Sequence, residues 1–139
     1  MLRQVISTLS IRANRPGLHE ITSSVVEFVN ETGIRDGLLT LFCKHTSASL
    51  LIQENAAPAA KRDLERYFER VAPQSGQYEH DDEGPDDMPA HLRSALTTVQ
   101  LSIPVNKGRP CLGTWQGIFL FEHRRNTPER EIALHLIGE

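Results

Sequence analysis

Leu38-Leu39-Thr40-Leu41-Phe42-Cys43-Lys44-His45 is the stretch from which the fold can be read outward. Its apolar residues fall on both faces of an extended chain, which places this strand in the middle of a sheet. Leu39, Leu41, Cys43 and His45 share one side. Asp36-Gly37 is a turn signal before it, and Ala48 to Gln53 continues as a second extended segment. Towards the N-terminus, residues 2–12 alternate apolar and polar as a strand does, and Asn14-Arg15-Pro16-Gly17 turns the chain. Residues 19–32 then carry Ile21, Val25, Phe28 and Val29 at helical spacing. Gly33 is placed to end that helix, because glycine adopts the left-handed conformation cheaply.

Towards the C-terminus, Pro58 suits a first helical turn, and Ala60, Leu64, Tyr67, Phe68 and Val71 form an apolar stripe. Residues 73–85 form a long loop of glycine, polar and acidic residues, a length that is more often functional or disordered. Asp87 is placed to cap a short helix with Pro89 in its first turn and Met88, Leu92, Ala95 and Leu96 towards the core. Strands follow at 98–105, within 111–124 (centred on Ile118 to Glu122) and at 131–137. There is no internal repeat and no linker. The expectation is one α+β domain, residues 1–139, with antiparallel sheets in a sandwich-like arrangement and about three helices.

The chain has 139 residues, 15 Lys and Arg against 18 Asp and Glu, and a net charge of −3. No segment is a basic patch, so phosphate-driven nucleic-acid binding is not expected. No apolar run approaches the roughly 20 residues that span a bilayer. The N-terminus lacks the charged start and apolar run of a signal peptide, and Cys43 and Cys111 form no CxxC pair. A cytoplasmic protein without membrane partners is expected, its cysteines reduced.

The chemistry gathers around histidine and carboxylate, the side chains that hold divalent metals or move protons near neutral pH. His45 ends the central strand, either as a core histidine bonded to backbone or as a ligand beside the hydroxyls of Thr46, Ser47 and Ser49. His80 sits in the acidic loop. Six carboxylates fall between Glu79 and Asp87, and they repel one another unless a positive charge sits among them. His91 lies early in the following helix. The three histidines match no local zinc spacing such as HExxH, and no phosphate-cradling glycine loop or serine-hydrolase elbow is present. Gly113-Thr114-Trp115-Gln116-Gly117 holds the only tryptophan, either as a bulge with a core side chain or as a close-approach loop. Arg124 and Arg125 are adjacent, suited to gripping phosphate or to solvating a strand end.

Taken together, His45-Thr46-Ser47-Ala48, Glu54-Asn55, Tyr78-Glu79-His80-Asp81, Glu83-Gly84-Pro85-Asp86-Asp87-Met88-Pro89-Ala90-His91 and Gly113-Thr114-Trp115-Gln116-Gly117 resemble the YjbQ-like family, often called secondary thiamine-phosphate synthases. The resemblance runs over essentially the whole chain. It implies a homotrimer and a cleft near a subunit boundary, where His45, His80 and His91 hold a divalent metal, zinc or magnesium, or an anion. It implies the joining of a hydroxymethylpyrimidine diphosphate to a thiazole phosphate, with release of pyrophosphate. On that reading Glu54 and Glu83 orient ligands or act as general base, and Thr46, Ser47, Thr114, Gln116 and Arg124 contact the phosphorylated substrate. A metal-dependent hydrolase of a small phosphorylated metabolite and a non-enzymatic ligand- or metal-binding protein are the alternatives.

Overall fold

The computed structural model describes residues 1–139 as eight strands and three helices. In chain order they are β1 (Arg3–Ile11), β2 (Gly17–Glu20), α1 (Thr22–Thr32), β3 (Gly37–Cys43), β4 (Ala48–Glu54), α2 (Pro58–Val71), α3 (Asp87–Leu96), β5 (Gln100–Asn106), β6 (Arg109–Pro110), β7 (Gln116–Glu122) and β8 (Arg130–Gly138). Two antiparallel sheets result, β1-β8-β3-β5-β6 and β2-β7-β4. They are stitched together at residues 98–99: Thr98 C=O accepts the Leu50 amide and Val99 C=O the Cys43 amide, each at 2.7 Å. The α+β expectation, the three helices and the antiparallel sheets are what the structure contains. No helix is long and apolar enough to cross a membrane.

The main core lies between the sheets. Leu39, Leu41 and Cys43 of β3, Ile132, Leu134 and Leu136 of β8, and Ile118 and Leu120 of β7 meet Val25, Phe28 and Val29 of α1 there. On β7 the alternate residues Phe119 and Phe121 face the other way, onto Leu18 of β2 and Phe68 of α2. That double burial explains the unbroken apolar run Ile118-Phe119-Leu120-Phe121 in the middle strand of a sheet covered on both sides.

One local reading changes. The helical stripe assigned to residues 19–32 begins only at Thr22, because His19 and Glu20 pair with β7 as part of β2. Gly33 closes α1 at φ 73°, as its position predicts. β3 is central in its sheet, as its apolar run predicts, and its outer face is open: Leu38 is 44% and Phe42 46% exposed. Gly37 and Gly138 face each other between β3 and β8, and a Cβ on Gly37 would lie 2.2 Å from the Ile137 carbonyl oxygen. The strands can approach at that point only without side chains.

Candidate functional site

Three segments meet at one end of the inter-sheet seam: the β3–β4 turn (44–47), the 72–86 loop with the first turns of α3, and residues 122–125 at the end of β7. Asp87 and His91 are four residues apart on α3 and so share a face. His91 Nε2 lies 3.0 Å from Asp87 Oδ2, and His80 Nε2 reaches the same oxygen at 2.8 Å. These three ligand atoms lie within 4.8 Å of one another. His91 Nδ1 sits 2.9 Å from the Thr46 carbonyl, which can only accept, so Nδ1 carries the proton. Nε2 of neutral His91 then presents a lone pair to a carboxylate oxygen. Two acceptors at that distance repel unless a cation, a proton or a metal ion, lies between them. The His80 pKa is raised first by its bond to Asp87, against burial and with help from the charges of Asp82, Asp87 and Glu83. Glu83 Oε2 stands 3.3 Å from His80 Nε2 at the solvent side.

The charge needed among the loop carboxylates is supplied by Arg124. Its Nε donates to Asp86 at 3.1 Å, its Nη1 to Asp87 at 2.6 Å and its Nη2 to the Glu83 carbonyl at 2.9 Å. The Arg125 amide also donates to Asp86, at 2.8 Å. For both buried aspartates, burial is the largest single influence and raises the pKa. It is outweighed for Asp86 by the Arg125 amide and Arg124, and for Asp87 by His80, His91 and Arg124, so both end below the usual carboxylate range. Arg124 therefore positions Asp87, and Asp87 serves the site instead of capping α3, where no side-chain cap bond forms.

Behind this layer, Glu122 and Arg130 form a fully buried bidentate ion pair, with Nε to Oε1 at 2.8 Å. Glu122 also accepts the Arg124 amide, and Arg130 also donates to the Ser47 carbonyl. His123, 2% exposed, contacts Ser49 Oγ at 3.0 Å, and Ser49 contacts Thr97 Oγ1, just past the end of α3, at 2.6 Å. Burial, then the Arg93 and Arg130 charges, push the His123 pKa down to about 3. Above pH 6.5 His123 is neutral folded or unfolded. Below it the unfolded chain takes up a proton that the folded chain refuses, so His123 removes about 1.4 kcal/mol of stability per pH unit between 6.5 and about 3. We expect urea unfolding to show about 2 kcal/mol less stability at pH 5 than at pH 7 from this group. His123→Gln should flatten that slope, leaving the opposed contributions of His45, whose pKa is lowered, and His80, whose pKa is raised. An unchanged slope in the variant would refute the assignment.

An open cleft of about 800 Å³ adjoins the cluster, lined by Phe42, Cys43, Ala95 and Val99 on the apolar side and Lys44, His45, Thr46, His91 and Ser94 on the polar side. His45 shares this cleft with His91 but not the Asp87 vertex. Its Nε2 accepts the Glu131 amide at 2.8 Å, and its pKa is lowered by burial first and Arg130 next. Thr46 and Ser47 act through their carbonyls, on His91, His123 and Arg130. Glu54, Thr114 and Gln116 lie elsewhere. Glu54 pairs with Gln116 at one end of β4 while Ala48 pairs with Glu122 at the other, a strand length of about 20 Å. Glu54 accepts the Ala56 and Ala57 amides, Gln116 accepts the Gly113 amide, and Trp115 is 64% exposed, not a core residue. The structure thus brings together His80, His91, Glu83 and Arg124 and leaves Glu54, Thr114 and Gln116 apart within one chain.

Sequence reasoning passed over Asp86, Asp87, Glu122 and His123 as site residues. For the aspartates the signal was available: unbalanced carboxylates call for a cation, and Arg124 was the adjacent candidate. For the buried residues there was none, since Glu122 and His123 follow an apolar run as any strand end does.

A family model described as UPF0047 protein YjbQ-like matches residues 7–139. The UPF0047 protein sll1880 of Synechocystis sp. is 47% identical over 138 residues, covering 99% of this chain and 94% of that protein. The UPF0047 protein YjbQ of Escherichia coli O157:H7 is 44% identical over 133 residues, covering 95% and 96%. The crystal structure of a YjbQ/UPF0047 family protein from Clostridium acetobutylicum superposes with TM-score 0.85 at 31% identity, over 94% of this chain and 98% of that one. A YbjQ-like protein from Sulfolobus solfataricus has the same fold at TM-score 0.92 and 24% identity, over the whole of both chains. With a match of this extent on both sequence and fold, the chain belongs to the UPF0047 YjbQ-like family.

Proposed function

We propose that the chain is a metal-assisted transferase of the secondary thiamine-phosphate synthase type, joining a hydroxymethylpyrimidine diphosphate to a thiazole phosphate with release of pyrophosphate. The observation that carries the reading is the Asp87 oxygen facing two imidazole nitrogens, one of them on a ring whose other nitrogen is committed to a carbonyl. A metal-binding histidine commonly has its second nitrogen bonded in this way. The donor set fits a divalent ion: two imidazoles and one carboxylate suit zinc better than magnesium, which prefers oxygen ligands. His80, Asp87 and His91 would hold it, and it would supply charge stabilisation for a departing diphosphate.

The chain's own residues do the rest. Arg124 holds Asp87 in place, Thr46 fixes the His91 tautomer, and Phe42, Ala95 and Val99 give the cleft an apolar wall. Lys44, which also pairs with Glu131 at 3.1 Å, His45 and His91 are the basic side chains lining the cleft where an anionic substrate would sit, and Glu83 would act as a base at the solvent side. The same reading carries a cytoplasmic homotrimer. In such an assembly a neighbour can bring Glu54, Thr114 and Gln116 to a cleft that they do not reach within their own chain.

Two measurements test it: metal content of the purified protein, and product analysis with hydroxymethylpyrimidine diphosphate in the presence and absence of the thiazole phosphate. Thiamine phosphate and pyrophosphate appearing together, only with the acceptor and only in metal-loaded protein, is the expected result. Phosphate or pyrophosphate released without acceptor would replace the reading with a hydrolase. Stoichiometric ligand binding with no turnover under any metal would replace it with a binding protein.

A further inference from the structure

The β5–β6 hairpin lies at the far end of the five-stranded sheet from the cleft. Phe42 pairs with Gln100 at the cleft end and Gly37 with Val105 at the other, a run of about 17 Å along β3. There the hairpin tip is tied to the chain that leaves α1. The Gly108 amide donates to the Arg35 carbonyl at 2.8 Å, and the Lys107 amide to Asp36 Oδ1 at 3.0 Å. The Arg35 amide donates in turn to the Glu139 carbonyl at 2.7 Å. Between this frame and α1 runs a groove of about 640 Å³. Arg35, Lys107 and Arg109 line it together with Ser23, Glu27 and Asn30, which share one face of α1.

The three cations have no partner in the chain. None of them forms an ion pair with a carboxylate, and Asp36, the acid tied to the hairpin tip, is bonded to the Lys107 backbone amide. Glu27 is the one carboxylate in the groove, and it pairs with none of the three. The crowded carboxylates of the 79–87 loop call for a cation, which Arg124 supplies. The converse holds here: three cations face one acid, in a chain with 18 acids and 15 bases. Lys107 is also the only non-glycine residue at positive φ, 54°. A two-residue hairpin turn favours Asn or Gly at such a position. A lysine there bears a conformational cost and brings a charge to the groove.

The geometry points to a second binding site in this groove, for a small phosphorylated molecule held by its phosphate group. Two guanidinium forks match phosphate oxygens, and the lysine adds a compact charge. The Ser23 hydroxyl and the Asn30 amide can contact the rest of the ligand. The volume falls within the roughly 300–1,000 Å³ of small-molecule sites. A nucleic-acid strand fits less well: three cations at one place give no track along a phosphate backbone, and the net charge of −3 repels it.

Amide chemical-shift titration with inorganic pyrophosphate tests the site, because it reports the groove and the cleft separately. The amides of Ser23, Lys107 and Gly108 should shift saturably, with half-saturation below about 1 mM. Arg35→Gln combined with Arg109→Gln should raise that concentration at least about tenfold, with native far-UV circular dichroism. Lys107→Asn, which suits the turn but removes its charge, should also weaken binding while leaving the fold at least as stable. Lys44→Gln in the cleft should leave the groove shifts unchanged. Groove shifts that grow linearly to about 20 mM pyrophosphate, or a half-saturation unmoved in the double variant, would overturn the site. A single-stranded oligonucleotide moving the same amides at lower concentration than pyrophosphate would overturn the small-molecule occupant in favour of a polymer. None of these outcomes depends on the chemistry at His80, Asp87 and His91.

Discussion

Asp87→Asn should lower zinc affinity by at least about 100-fold and reduce turnover in parallel. The substitution keeps the shape and one oxygen but removes the charge that faces His80 and His91. Loss of an outer partner of a ligand typically costs about 10–100-fold in metal affinity, and Asp87 is placed as a ligand, so the loss should reach or exceed the top of that range. Stability should change less than affinity, because Asp86 and the Glu83 carbonyl still hold Arg124. Titration calorimetry with zinc alone measures the first quantity and thermal melting of the metal-free protein the second. The comparison variant is Glu83→Gln, exposed at the edge of the cluster, which should weaken zinc far less. Equal zinc affinity in wild type and Asp87→Asn would remove Asp87 from the site.

Arg130→Met should destabilise the fold by about 3–5 kcal/mol, the cost of leaving a buried charge without its partner. Glu122 is fully buried and Arg130 2% exposed, so water cannot replace the missing guanidinium. For a domain of this size the melting temperature should drop on the order of 10–15 °C. The double variant Arg130→Met with Glu122→Leu should recover most of that loss, because the expense lies in the orphaned charge and apolar side chains pack well in its place. Urea unfolding of the two single variants and the double variant completes the cycle. A double variant as unstable as the sum of the singles would show that the pair acts independently. The pair also reaches the site. Glu122 accepts the Arg124 amide and Arg130 holds the Ser47 carbonyl, so the stable double variant should still bind zinc more weakly than wild type.

Much of the architecture was legible along the chain because strand and helix periods are local properties. The apolar run of β3, the stripes of α1 and α2, the αL position of Gly33 and the alternation of β5 each depend on residues within a few turns of one another. β2 was not legible: four residues next to a helical stripe carry too little pattern, and their pairing with β7 is decided a hundred residues away. Whether the outer face of β3 is covered could not be read for a related reason. An apolar strand looks the same whether a second layer of its own chain covers it or none does.

At the site, residue types could be read but not partnerships. Histidine and crowded carboxylate announced metal or proton chemistry and a need for positive charge. They did not say that Asp87 rather than His45 completes the group around His80 and His91, that Arg124 is held by aspartates, or that Glu54, Thr114 and Gln116 sit a strand length away. Most of the elements and the available chemistry can be read along the chain, since both follow from side chains and their short-range spacing. Which groups meet is set by packing, because the sheet seam at residues 98–99 and the buried Glu122–Arg130 pair fix distances between segments that no local period encodes.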